Sequence, residues 1–173
     1  LERDANGALY AHKTAGERAD YTISSDFVIR DDAALREIDA TLPDSRGERY
    51  LALPEFSPAI RRLAQQITRG LESDADRARA IETYLRRQGS YTDAPPVVSR
   101  DDPRSPIEVF LLGGTEGHCE YFASAMVVLA RSIGLPARLV NGFAGGRPNE
   151  VGGFVEVSGS DAHAWVEVHY QEL

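Results

Sequence analysis

Between Gly117 and Pro136 the chain carries its strongest constraint on folding. Phe122 to Ile133 is the most apolar segment, and at helical spacing Phe122, Ala125, Met126, Leu129 and Ile133 form one stripe. Ala123, Val127 and Ala130 fill the other sides, and only Glu120 and Arg131 carry charge. A helix that is apolar almost all round must be buried on almost every side. The segment therefore predicts the central helix of a domain. Gly134 and Pro136 end it, and Gly113-Gly114-Thr115-Glu116-Gly117 delivers the chain to its start. At that start lies Cys119, the only cysteine in 173 residues.

Composition excludes several classes. An apolar fraction of 42% supports a core for one ordinary domain. A net charge of −8 argues against nucleic acid, whose phosphates require a basic surface. One cysteine precludes an intramolecular disulfide framework and a multi-cysteine metal site, and no cofactor is expected. No run approaches the ~18 apolar residues of a membrane span. Leu1-Glu2-Arg3-Asp4 is not a signal peptide. The abrupt ends predict an excised piece of a longer protein, so the missing span does not bear on the parent.

Residues 1–20 read as a polar tail, and Tyr21 to Arg30 as one strand. Asp32 caps a short helix with Leu35 and Ile38 on one face, ending before Pro43. Residues 1–49 are thus expected to form an extension, and the compact part begins at Tyr50-Leu51-Ala52-Leu53-Pro54. Ser57-Pro58 starts a helix with Ile60, Leu63, Ala64, Ile67 and Leu71 inside. Asp74 caps the next, with Ala78, Ile81 and Leu85 inside and Gly89 after it. Arg77, Arg79, Arg86 and Arg87 alternate with acids there and read as a solvated face.

Ser90-Tyr91-Thr92 is a short extended piece, followed by a proline- and aspartate-rich loop over 93–104. Ser105-Pro106-Ile107-Glu108 is a capping box that opens a short helix ending near Gly113-Gly114. After the central helix, Ala137 to Gly142 reads as a strand and 144–153 as a turn. Phe154 to Val157 and His163 to Tyr170 read as two further strands. The last puts Ala164, Val166, Val168 and Tyr170 on one face, and His163, Trp165, Glu167 and His169 on the other. Helices come first and strands last, with links too short for parallel crossovers. The fold class expected is α+β, with an antiparallel sheet packed on the central helix.

Cys119 admits two readings: a small buried hydrophobe, or a nucleophile. A helix N-terminus favours the thiolate, and glycines before it allow a substrate backbone to approach. The Cys119 amide is also placed to donate to an oxyanion. A nucleophilic thiol needs a base. Of the four histidines, His12 lies in the polar tail. His118 diverges from its neighbour by about 100° on a helix and suits the rim of a substrate site better. His169 lies roughly 20 Å along the strand from His163 at ~3.3 Å per residue. His163 follows the turn Ser158-Gly159-Ser160-Asp161 and is the best candidate, with Trp165 on its face to shield the pair. The glycine turn and this histidine leave the two readings of Cys119 evenly weighted.

Three segments resemble the core of bacterial transglutaminase-like domains. They are Gly117-His118-Cys119-Glu120-Tyr121-Phe122-Ala123, Leu129 to Val140, and Asp161-Ala162-His163-Ala164-Trp165-Val166-Glu167-Val168. With Tyr50 to Pro54 and Asp76 to Leu85, the likeness is strongest to the extracytoplasmic domain of membrane-embedded proteins of the TgpA type. It covers residues 50–173. It implies a papain-like fold and a Cys-His-Asp triad, with Cys119 as nucleophile and His163 as base. It also implies a periplasmic domain of a membrane-anchored parent. The family's aspartate lies on a strand beyond the histidine strand, past Leu173; Asp161 belongs to the histidine motif and does not match it.

The implied reaction is acyl transfer from a glutamine carboxamide of a protein or peptide through a thioester. An amine then resolves the thioester (cross-linking), or water does (deamidation). Tyr121, Trp165, His118 and the loops 93–104 and 143–153 are the expected cleft walls, and the second oxyanion donor is unassigned. The alternatives are a cysteine peptidase or amidase on the same fold, or a non-catalytic protein-binding module.

Overall fold

The computed structural model describes residues 2–3, 9–10, 31–42 and 47–170. The strand expected over Tyr21 to Arg30 lies outside them. Glu2–Arg3 (β1) and Leu9–Tyr10 (β2) form a short antiparallel pair. The helices are α1 (Asp32–Arg36), α2 (Pro58–Ile67), α3 (Asp74–Gln88), α4 (Pro106–Gly113) and α5 (Cys119–Ser132). The remaining strands are β3 (Ser90–Tyr91), β4 (Glu116–Gly117), β5 (Ala137–Phe143), β6 (Arg147–Asn149), β7 (Phe154–Glu156) and β8 (Ala162–Val168).

The apolar segment is indeed the centre. In α5, Ala123, Ala125, Val127, Val128, Leu129 and Ala130 are buried. Ile60 and Ala64 of α2, Ile81 and Leu85 of α3, and Phe110 and Leu111 of α4 close around it with Leu135 and Ala137. Val166 and Val168 of β8 pack against this core from the sheet side. Each full burial of such a side chain contributes about 1.5–3 kcal/mol, so the core rather than any single bond holds the elements on α5.

Helix starts follow the local chemistry. Ser57 caps α2 with proline in the first turn, and Ser105 forms the capping box with Glu108. Two caps fall one residue earlier than expected: Asp31, not Asp32, accepts the Ala34 amide. Ser73, not Asp74, accepts the Asp76 amide. The extended φ/ψ of an N-cap belongs to the residue just outside the helix, and both caps have it. In α4 the Glu108 carboxylate is buried, and it accepts from the Ser105 amide at 2.9 Å and the Ser57 amide at 2.7 Å. One side chain therefore fastens the starts of two helices.

The antiparallel sheet on α5 is the seven-residue ladder β5–β8, running from Ala137↔Val168 to Phe143↔Ala162. Two expectations are corrected. The Phe154 to Val157 strand does not join this sheet: β7 pairs with β6, inside the stretch read as a turn, as a separate hairpin. Ser90–Tyr91 pairs in parallel with Glu116–Gly117. Helix α4 lies between those two strands and supplies the length a parallel connection needs, while the strands after α5 pair antiparallel as expected. Residues 31–42 rest on the core: Ala40 bridges Tyr170, and Thr41 and His169 exchange backbone and ring contacts. No helix among the described residues is long and apolar enough to cross a membrane.

Candidate active site

Cys119 is the first residue of α5, and His118 holds the N-cap position without a side-chain capping bond. The amides of Tyr121 and Phe122 bond the His118 carbonyl, while among the described residues no backbone carbonyl takes those of Cys119 and Glu120. The thiol is partly buried. It lines a cavity of about 550 Å³ between α3, the start of α5 and β8. Phe122, Ala123, Met126, Ala164 and Val166 supply apolar wall. His163 and Trp165 line the same cavity.

The sheet carries His163 there. Its register partner is Gly142, near the end of β5. A Cβ on Gly142 would lie 2.8 Å from the Trp165 ring, so glycine is what lets the indole lie flat along the ladder. The Trp165 indole N–H donates to Glu167 at 3.3 Å.

Other expected site residues fall elsewhere. His118 packs edge-on to Tyr121, with 5.1 Å between ring centroids, and its Nδ1 is 3.9 Å from Glu120. Tyr121 stacks against Phe110 and lines a second cavity of about 240 Å³, behind the Cys119 turn. Position 121 points away from position 119 because two residues turn a helix by about 200°. Neither His118 nor Tyr121 lines the cavity that holds Cys119 and His163. The loop 93–104 gives Pro96 and Val98 to the second cavity, and the loop 143–153 lines neither. Asp161 accepts from the Ser158 amide at 2.7 Å and the Ser158 hydroxyl at 2.9 Å, so it closes its own turn. His169 is tied to the Thr41 carbonyl at 2.8 Å. His12 lies outside the described residues. No cluster of His, Cys, Asp and Glu among the described residues has the geometry to hold a metal ion.

Tyr91 is the cavity residue that sequence reasoning missed. The β3–β4 pairing places it opposite Gly117, two residues before Cys119. Its phenol is held above the ordinary range, first by the charge of the Asp93 carboxylate, then by desolvation and a hydrogen bond to Asp93. The charge of a Cys119 thiolate adds to this rise, and the Cys119 backbone amide opposes it. The missing signal was pairing: two-residue strands 26 positions apart have no periodicity to read.

The arrangement is a thiol at a helix start and an imidazole lining one cavity with largely apolar walls. The sequence profile of the transglutaminase-like superfamily matches residues 61–172. The chain belongs to that superfamily. It is 34% identical over 136 residues to the protein-glutamine gamma-glutamyltransferase of Pseudomonas aeruginosa, a match covering 78% of this chain and 20% of that protein. It is 35% identical over 131 residues to the uncharacterized protein YebA of Bacillus subtilis, covering 73% and 18%. The chain thus spans about a fifth of the curated relatives it matches. Among solved structures it resembles the periplasmic domain of TgpA from Pseudomonas aeruginosa, with TM-score 0.62, 30% identity, and 73% of this chain and 45% of that one covered. A candidate cysteine protease from Cytophaga hutchinsonii shares the fold at TM-score 0.55 and 20% identity, covering 78% and 43%.

Proposed function

We propose that this chain is the catalytic core of a cysteine acyltransferase acting on glutamine carboxamides of proteins or peptides. The core begins near residue 50, with residues 1–49 as an extension. The observation that carries the reading is that Cys119, at the start of the central helix, and His163, at the start of β8, line one cavity. Likeness to a protein-glutamine gamma-glutamyltransferase supports the donor class. Likeness to a periplasmic domain supports an extracytoplasmic site, and a membrane-anchored parent is part of this proposal.

In this mechanism His163 takes the thiol proton, and Cys119 sulfur attacks the carboxamide carbon. The oxyanion forms against the helix start, where the Cys119 amide has no backbone acceptor among the described residues. The C–N bond breaks, His163 returns its proton to the departing ammonia, and a thioester remains. A primary amine attacking that thioester gives an isopeptide bond; water gives glutamate. Either restores the thiol.

The test uses the full-length gene product with a glutamine-donor peptide, a labelled primary amine and mass detection. Amine incorporation or deamidation that disappears in Cys119→Ala is expected. Cleavage of the peptide backbone would reassign the protein as a peptidase. No product in any channel would make it a binding module.

A further inference from the structure

The Cys119 amide is one candidate donor, and oxyanion holes combine several donors. Four side chains lining the cavity carry N–H or O–H groups: Arg86, Tyr91, His163 and Trp165. His163 is the base. The Trp165 indole N–H is directed along the strand to Glu167. Arg86 is largely exposed and paired with Glu82 at 3.0 Å. Tyr91 is the remaining donor; it lines the cavity with Cys119 and is paired in register with Gly117, two residues before Cys119.

Its position is built into the backbone. The Ser90 amide donates to the Thr115 carbonyl at 2.9 Å, and the Thr92 amide to Gly117 at 3.0 Å. The Thr115 hydroxyl fixes the end of α3 through the Gln88 carbonyl at 2.7 Å. Tyr91 is thus fastened on both sides to the strand that runs into Cys119. A donor fixed before the reaction needs no reorganisation when charge develops.

We infer that the Tyr91 hydroxyl is the second oxyanion donor of this site, acting beside the Cys119 amide. This assignment rests on the thioester chemistry proposed above. No bond to Tyr91 forms or breaks. Its hydroxyl donates to the substrate oxygen as the C=O bond becomes a C–O⁻, and the bond weakens again when the carbonyl re-forms. Because Asp93 holds the phenol in its protonated form, the hydroxyl is a donor throughout the neutral range.

Tyr91→Phe in the full-length protein removes only the hydroxyl, on a side chain that is 64% exposed. Two rates are compared with those of the parent: amine incorporation into the glutamine peptide, and alkylation of Cys119 by iodoacetamide. Alkylation displaces iodide and makes no oxyanion. The expected result is a kcat loss on the order of 10²-fold, with KM, alkylation rate and melting temperature little changed. Amine incorporation within a few-fold of the parent overturns the assignment. So does a parallel fall in alkylation, which would mean that Tyr91 tunes the thiol. If the parent itself gives no Cys119-dependent product, the acyl-transfer reading fails, and Tyr91's role with it. An active parent with an equally active Tyr91→Phe variant removes the Tyr91 role alone.

Discussion

Gly142 and His163 face each other in the β5–β8 ladder, and the Trp165 indole lies where a side chain on Gly142 would be. The obstacle to a methyl group there is the far edge of one ring, 2.8 Å away, rather than backbone. Gly142→Ala should therefore cost little stability, about 1 kcal/mol, as the ring shifts. The shift occurs in the wall of the cavity that holds Cys119. We expect acyl transfer to fall several-fold and the emission of Trp165, the only tryptophan, to change. Unchanged fluorescence together with unchanged kcat/KM would show that the indole does not shape the site.

Replacing His163 with Asn keeps a polar side chain at an exposed ladder position and removes the proposed base. Acyl transfer should drop by on the order of 10³-fold or more, with the melting temperature within a degree or two. Combined with Cys119→Ala, the loss should be no larger than for Cys119→Ala alone, since the two groups act as a unit. Additive losses in steady-state kinetics would contradict a shared step.

Glu108 supports the starts of α2 and α4 through the Ser57 and Ser105 amides. Those two bonds, led by Ser57, hold its carboxyl below the ordinary range near 4.3. A carboxyl depressed in the folded state stabilises the fold above its unfolded pKa. That contribution is lost as pH falls through the folded value. Glu108→Ala should lower stability by about 2–4 kcal/mol at pH 7, because two caps lose their acceptor. Urea unfolding should show the gap between parent and variant shrinking below about pH 4. A gap independent of pH would mean that the charge is not what holds the caps.

Arg131 bridges the end of the central helix to the sheet. Its guanidinium donates to the Ala137 carbonyl at 2.7 and 2.9 Å and to the Ala52 carbonyl at 2.7 Å. Partial burial holds its pKa below the ordinary value for arginine. Arg131→Met keeps the stem and loses all three bonds, which should cost about 2–3 kcal/mol in thermal unfolding. Arg131→Lys should recover less than half, since an ammonium cannot span two carbonyls with a planar fork. Full recovery by lysine would show that charge alone suffices at this place.

Much of the site was legible because its strongest elements are local. The apolar run from Phe122 to Ile133 could only be a buried helix, and Cys119 stood at its start beside glycines. His163 could be placed at the start of a strand from the turn before it. Tyr121 was misplaced because adjacency in sequence is not adjacency around a helix; its ring serves Phe110 and the second cavity. The hairpin β6–β7 was read as a turn because Arg147–Asn149 has neither alternation nor β-branched residues.

By itself, then, the sequence determined which helix is central, where the helices begin, and that a lone thiol sits at the start of the central one. Capping, helical period and burial are written within a turn or two of each residue. Only the tertiary structure decided which side chains share the cavity with that thiol. Tyr91 reaches the cavity through a parallel pairing formed across the length of α4, and His163 through a ladder that closes over the full width of the sheet. Such pairings depend on chain closure between distant segments, and no local pattern in either segment encodes them.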